Sequence, residues 1–324
     1  MSSTAATPLS TISTTPTPGA GTDSGLDVVT GAFSYSGKAI TEQLLLGGRK
    51  VRTLTGHPQR AVGDMAGIEV EPLDFDAPVS LASHLEGATT LYNTYWVRFA
   101  HGQTTHEAAV ANSRTLFAAA RRAGVQRIVH VSITHPSIES PYPYFRGKAL
   151  VERALAGSGV SFAAVRPAIL FGRDGVLINN IAWLLRHLPV FAIGGNGQYR
   201  VRPIHVEDLA RLCVTLGQSR TDTVVDAVGP ESPTFEELVH SVREAVGSRS
   251  RVIHVRGAVL SPLSWVLGRL LHDVLLTREE LRSMMDGLAD TEGPASGERA
   301  ISEWVKADGA QLGRTYANEL KLHF

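Results

Sequence analysis

The stretch Asp27-Val28-Val29-Thr30-Gly31-Ala32-Phe33-Ser34-Tyr35-Ser36-Gly37 decides the reading of the whole chain. A short apolar run meets a turn of small residues, and a helix-compatible stretch follows from Lys38 to Leu46. Gly31 allows a tight turn out of a strand, and Gly37 lets the following helix lie close against it. The first N–H groups of such a helix have no carbonyl of their own to bond and sit at the positive end of the helix dipole. A turn built this way is shaped for an anion, above all a phosphate. Its spacing is G-x-x-G-x-x-G with Ser34 at the middle position, where a Cβ adds bulk and a hydroxyl adds a donor.

The next predicted strand, Lys50 to Thr55, arrives one helix length later, so the unit reads as βαβ. In that context the turn is a dinucleotide-binding one, with Gly31, Phe33, Ser34 and Gly37 forming the cofactor cradle. A site for NAD places an acid at the end of the second strand, where it holds the ribose 2′-hydroxyl. Here that neighbourhood is Leu54-Thr55-Gly56-His57-Pro58, without an acid. Arg52 and Arg60 lie nearby and are candidates for a 2′-phosphate, although Arg52 reads equally well as a solvated strand residue. The balance favours NADP(H) over NAD(H).

Strand and helix signals alternate from residue 26 to about 170. Strands are predicted over 26–30, 50–55, 67–71, 89–94, 126–132 and 161–166, and helices over 36–47, 78–86, 103–123 and 142–157. The third helix carries Ala109, Val110, Leu116, Phe117 and Ala120 at helical spacing and is followed by Gly124 as a stop signal. This alternation implies an α/β fold with a doubly wound parallel Rossmann sheet. After 170 the rhythm breaks. An apolar helix is expected over 177–188, a glycine turn at Gly194-Gly195-Asn196-Gly197, a helix opening at Pro203 to Leu209, and a strand over 223–228. Helices near 234–246, 259–273, 277–286 and 298–322 complete a smaller, mostly helical C-terminal substrate region. The expected division is a Rossmann domain over 25–170, with 200–230 returning to it, and a substrate or cap region over 171–199 and 231–324.

Composition narrows the function classes. The 324 residues carry 31 Lys plus Arg against 31 Asp plus Glu, and no long basic run, so charge makes no case for nucleic acid. Cys213 is the only cysteine, which rules out an intrachain disulfide and fits a reducing, cytoplasmic setting. No apolar stretch reaches the roughly 20 residues of a spanning helix. Residues 1–24 are half Ser and Thr with Asp23 the only charge, and are expected to be a disordered tail.

Candidate chemistry begins at Arg127-Ile128-Val129-His130-Val131, which ends in Ser132-Ile133-Thr134. A hydroxyl just past the carboxyl end of a parallel strand lies in the crevice where such folds bind ligands. Tyr144-Phe145-Arg146-Gly147-Lys148 follows. On a helix, residues four apart share a face, so Tyr144 and Lys148 project together. A tyrosine near pKa ~10 is a poor base at neutral pH, and a neighbouring ammonium favours its phenolate. The set suits hydride transfer at a carbon–oxygen bond, with Tyr144 as acid/base, Lys148 as its partner and as an anchor for the nicotinamide ribose, and Ser132 or Thr134 on the substrate oxygen. Tyr142 falls on another helical face.

These residues, over about 26–240, resemble the extended or atypical short-chain dehydrogenases/reductases, the group containing NAD-dependent epimerases and dehydratases. The resemblance rests on Thr30-Gly31-Ala32 with Gly37, Asp74 and Asp76, Asn93-Thr94, Ser132 and Thr134, Tyr144 and Lys148, Arg166-Pro167-Ala168-Ile169, and His205-Val206-Glu207-Asp208. It implies that Thr134 matches the catalytic Ser/Thr better than Ser132. It places Asp74 near the adenine, Asn93 beside the cofactor and Pro167 at the nicotinamide, and it makes His205 to Asp208 a framework feature. The chain is also similar to the subgroup that includes the Rossmann-type accessory subunit of respiratory complex I. Ser34 and Thr55 are its departures from the family pattern.

The expected activity is therefore that of an NAD(P)-dependent oxidoreductase or epimerase/dehydratase. The alternative is a non-catalytic dinucleotide binder, either a redox sensor or a structural or assembly subunit. The apolar content of 177–193 and 258–276 points to a hydrophobic small-molecule substrate, with 258–276 a substrate-side cap rather than a membrane-surface helix. A homodimer is compatible with the sequence. Tyr95-Trp96-Val97-Arg98-Phe99 either lines or lids the site or packs in the core. His101, His106 and His135 have no ligand spacing, and no metal is expected.

Overall fold

The computed structural model describes residues 25–58, 67–99, 102, 104–256, 269 and 277–318. Tail 1–24, Arg60 and the segment 258–276 (Arg269 excepted) lie outside the described residues. In chain order the elements are β1 (Leu26–Thr30), α1 (Tyr35–Leu46), β2 (Lys50–Thr55), β3 (Glu69–Pro72), α2 (Pro78–Ser83), β4 (Ala88–Asn93), α3 (His106–Arg122), β5 (Arg127–Val131), α4 (Pro143–Ala156), β6 (Ser161–Pro167), β7 (Ile169–Phe171), α5 (Val176–His187), β8 (Val190–Gly194), β9 (Pro203–His205), α6 (Val206–Gln218), β10 (Thr223–Ala227), α7 (Phe235–Ala245), β11 (Arg251–Val255), α8 (Arg278–Met285) and α9 (Ile301–Asp308).

Seven strands form one sheet in the order β10-β6-β5-β4-β1-β2-β3, with every pairing parallel. The fold is thus an α/β doubly wound Rossmann-like one. Its central strands are buried on both faces, and their side chains alternate between two cores as the period of two requires. Val28, Leu91 and Ile128 join Leu116, Phe117 and Val151 of α3 and α4 on one face. Their neighbours Val29, Tyr92 and Val129 join Ile40, Leu44, Leu209 and Cys213 of α1 and α6 on the other. The order of winding reverses beside β1, and the crevice at the carboxyl ends of β1 and β4 is where such sheets take ligands.

A third core lies beyond this sheet. Phe171, Ile178, Ile181, Leu185, Phe191, Phe235, Leu238, Met284, Ile301 and Val305 pack together from α5, α7, α8, α9 and two small parallel sheets, β7–β9 and β8–β11. Four of these short strands were not expected from the sequence. The helix expected to open at Pro203 begins instead at Val206, because Pro203–His205 pairs with β7 and the His205 ring accepts from Glu207 N–H as the N-cap. Of the helix expected over 298–322, the described residues to 318 are helical only over Ile301–Asp308. Gly313, at φ +66°, turns the chain where a Cβ would lie 2.3 Å from the Trp183 nitrogen.

Asp208 joins this outer region to the main sheet. Its Oδ2 accepts from the backbone N–H groups of Glu298 and Arg299, both at 2.9 Å, and its Oδ1 is paired with Arg211. Burial works to raise this carboxyl, and the N–H of Arg299, the Arg211 guanidinium and the N–H of Glu298 outweigh it, leaving it below its ordinary value. A carboxylate depressed in the folded state stabilises above its unfolded pKa of about 3.9 and loses that contribution as pH falls through the folded value. Asp208→Asn is expected to destabilise by about 3 kcal/mol at neutral pH. In urea denaturation, the gap from wild type should close as the pH is lowered below about 4.

Candidate active site

The turn after β1 is built as the glycine spacing requires. Gly31 has φ +66°, and its N–H donates to Leu54 O of β2 at 2.8 Å. A Cβ on Gly37 would sit 2.1 Å from Gly31 O, so only glycine lets α1 begin here. Ser34 has φ −83° and ψ 165°, an extended conformation that any residue adopts, so its position has no need of glycine. The Ser34 hydroxyl donates back to Gly31 O at 2.7 Å rather than into the space beyond the turn. The N–H groups of Tyr35, Ser36 and Gly37 are left as the donors at the positive end of α1. The turn therefore fits a dinucleotide pyrophosphate. Phe33 is half-buried within it.

Behind the turn, the carboxyl ends of β1, β4 and β5 are laced together. Thr30 Oγ1 donates to Asn93 Oδ1 at 3.1 Å and accepts from the N–H groups of Thr94 and Tyr95. The Asn93 amide faces His130 Nδ1 at 3.0 Å. His130 is fully buried, and burial, reinforced by the charge of Lys148, pushes it well below its ordinary pKa, so it is neutral. The Asn93 side chain is wholly buried in this belt.

At the end of β2, Thr55 Oγ1 accepts from His57 N–H at 3.1 Å. Asp74 is exposed just past β3 and accepts from Asp76 N–H at 2.9 Å. Arg52 is elsewhere. Its guanidinium is 2.7 Å from Glu69 and donates to His84 O at 2.9 Å, where α2 turns into the amino end of β4. A long side chain at mid-strand can run toward either end of the sheet, and this one runs away from the crevice.

The expected catalytic residues gather around the ends of β5 and β6. Ser132 N–H donates to Val165 O, and Thr134 N–H to the carbonyl of Pro167 at 3.1 Å. The Ser132 hydroxyl donates to Glu152 of α4, itself paired with Arg166. The Thr134 hydroxyl is fully buried and donates to Leu288 O at 2.8 Å. Tyr144 and Lys148 share a face of α4. Lys148 is 3% exposed, with Nζ donating to Val131 O at 2.8 Å. Burial pulls its ammonium down to about 7, against the opposing pull of Glu152. The Tyr144 ring is half-buried and meets Trp96 and His106 edge-on, at 5.7 and 5.8 Å between centroids.

Tyr144 stands in the wall of a cavity of about 830 Å³. Its apolar lining includes Ile133, Phe145, Ile169, Leu170, Val176, Leu177, Met284 and Leu288, and its polar lining includes Tyr35, Arg98, His106, Glu107 and Asn180. Residues 277–289 supply much of one side. Arg98 pairs with Glu280 at 2.6 Å, Tyr142 Oη donates to Asp286 at 2.5 Å, and Thr134 holds Leu288. Burial and the Asp286 carboxylate push the Tyr142 hydroxyl up to about 12. His135, at φ 52°, bonds Asp290 O at 2.5 Å and extends the same clasp. The sequence reading put 277–289 inside its substrate or cap region but named none of these contacts. It also missed Tyr35, whose place directly after the glycine turn was the available signal. Among the described residues no group of three or more His, Cys, Asp or Glu is placed to hold a metal, and no helix is long and apolar enough to cross a membrane.

Residues 31–216 match the model of the NAD(P)H-binding family. The chain is 22% identical over 238 residues to the 40 kDa subunit of NADH-ubiquinone oxidoreductase from Neurospora crassa, covering 72% of this chain and 62% of that protein. It is 30% identical over 257 residues to an uncharacterized protein of Mycobacterium tuberculosis, covering 78% of this chain and 27% of that one. The chain thus spans less than two thirds of these relatives' length. Among solved structures it is similar to the triphenylmethane reductase of Citrobacter sp., with a TM-score of 0.72 at 16% identity, covering 89% of this chain and all of that one. It is also similar to an NADPH-dependent quinone oxidoreductase of Escherichia coli, with a TM-score of 0.70 at 20% identity, covering 87% and 99%. At such identities the likeness is one of fold.

The lowered Lys148 ammonium makes a stability prediction. Between about pH 7 and the unfolded value near 10.4, the unfolded chain holds more protons, so stability attributable to this residue rises with pH. The stability of wild type relative to Lys148→Met, read from urea midpoints, is expected to shift in favour of wild type as pH rises from about 7 to about 9.

Proposed function

We propose, from the premise that the chain belongs to the NAD(P)H-binding family, that it is an NAD(P)-dependent oxidoreductase acting at a carbon–oxygen centre of an apolar small molecule. One observation carries this reading: Tyr144, one helical turn from the buried amine of Lys148, faces an apolar cavity. A bound dinucleotide supplies or accepts the hydride. In the reducing direction Tyr144 Oη gives its proton to the substrate oxygen, and in the oxidising direction it takes one. Lys148, with an ammonium drawn to about 7 by burial, exchanges protons near neutrality and, when charged, favours the phenolate. Gly31, Ser34 and Gly37 shape the turn whose N–H groups hold the pyrophosphate. Pro167 borders the nicotinamide half and Asp74 the adenine, while Asn93, wholly buried, braces the rim from behind. For Thr134 to serve the substrate oxygen, its hydroxyl must exchange Leu288 O for the ligand.

NADP(H) is the proposed partner, because Thr55 leaves the end of β2 without a carboxylate to repel a 2′-phosphate. Isothermal titration is expected to show tighter binding of NADPH than of NADH, and equal affinities would remove the preference. Tyr144→Phe is expected to cut the turnover of NADPH with menadione as acceptor by roughly 100-fold or more, with NADPH affinity kept within about twofold. Wild-type turnover in that variant would overturn the role of Tyr144.

A second reading, a dinucleotide binder without turnover, draws on one feature. The hydroxyls of Ser132 and Thr134 are both committed to protein partners, Glu152 and Leu288. Binding of NADPH without turnover of any acceptor, and unchanged by Tyr144→Phe, would favour it.

A further inference from the structure

Trp96 follows β4 and carries no proton chemistry of its own, yet it touches each group on the reactive face of α4. Lys148 Nζ lies 4.7 Å from the centre of its ring. The Tyr144 ring meets it edge-on at 84°, and His106 stacks on it at 5.8 Å and 10°. The indole Nε1 is buried with no hydrogen-bond partner among the described residues, so packing rather than a polar contact places the ring. Gly147 makes that packing feasible. A Cβ there would lie 2.7 Å from Trp96 Cη2.

The amine of Lys148 has few other constraints. Val131 O accepts one hydrogen. The charged and titratable groups around it are Glu152 and Tyr144 on its own helix, His130 on β5 and His106 on α3 beyond the indole. His130 is held neutral, and Glu152 is engaged with Ser132 and Arg166. The face of an indole attracts an ammonium by its quadrupole and is the strongest such partner among the aromatic side chains.

We propose that Trp96 is a positioning residue for Lys148. Its indole face fixes the ammonium in the attitude that anchors the dinucleotide ribose, and residue 147 is glycine so that the indole can come that close. This rests on the reading in which Lys148 contacts the dinucleotide.

The test is a double-mutant cycle read by isothermal titration with NADPH. Trp96→Leu and Gly147→Ala are each made in the wild-type chain and in Lys148→Met. Alanine is the better helix former, so a loss in Gly147→Ala does not come from a weakened α4. Each variant is expected to weaken NADPH binding about three- to tenfold when Lys148 is present, and less than about twofold in the Lys148→Met background. Trp96→Phe, which keeps an aromatic face, is expected to recover part of the loss. Equal losses in both backgrounds would assign the ring to the fold alone and overturn the proposal, as would unchanged affinity in Gly147→Ala. A wild-type protein that binds neither NADPH nor NADH would overturn the dinucleotide reading itself, and this inference with it.

Discussion

The Cα of Gly37 rests so close to the carbonyl of Gly31 that a Cβ would intrude to 2.1 Å, and the site at the carboxyl ends of the strands is built on that contact. It fixes where α1 starts and therefore where the free N–H groups point. It holds Gly31 in the left-handed turn that brings its N–H to Leu54 of β2. The belt of Thr30, Asn93 and His130 then ties β1 to β4 and β5 at the same level. The ends of three strands thus share one rigid rim, and the loops that leave it carry Trp96, Ser132 and Thr134.

Within that frame, electrostatics are set mainly by the absence of water. His130 is neutral because burial and the nearby charge of Lys148 outweigh its hydrogen bond with Asn93, and Lys148 sits near neutrality because Glu152 compensates only in part. Carboxylates here are spent on arginines and N–H groups: Glu152 on Arg166, Glu280 on Arg98, Asp208 on Arg211 and the backbone at 298–299. The amine of Lys148 is therefore the buried ionisable group on this face that can change protonation close to neutral pH.

What the sequence disclosed followed from local physics. The βαβ start was legible because glycine spacing and apolar alternation are local constraints, and the seven-stranded parallel sheet followed from their repetition. Tyr144 and Lys148 were placed on one face by helical geometry alone. The short strands β7, β8, β9 and β11 were not visible, because runs of three to five residues, some with His or Pro, carry little periodic signal. Acids at Glu207 and Asp208 marked the first turn of α6 correctly, but not that His205 caps it from a strand. Arg52 shows another limit: residue type and position on a strand do not say to which end a long side chain runs. That the C-terminal region would cap the substrate side was expected, but the contacts that fasten it were hidden because they join residues far apart in the chain.

That separation has a consequence for how the molecule comes into being. Thr134 meets Leu288 across 154 positions, Tyr142 meets Asp286 across 144, and Arg98 meets Glu280 across 182. Synthesis runs from the amino end, and domains generally fold as units in that order. The glycine turn and α4 are complete in sequence while more than a hundred residues are still to be added. Through that interval Ile133, Phe145 and Ile169 have no roof above them, and the growing chain presents an open apolar trough. The residues of the glycine turn and of α4 thus enter the chain well before those that wall the far side of the cavity, and the cavity is complete only once 277–289 have been added.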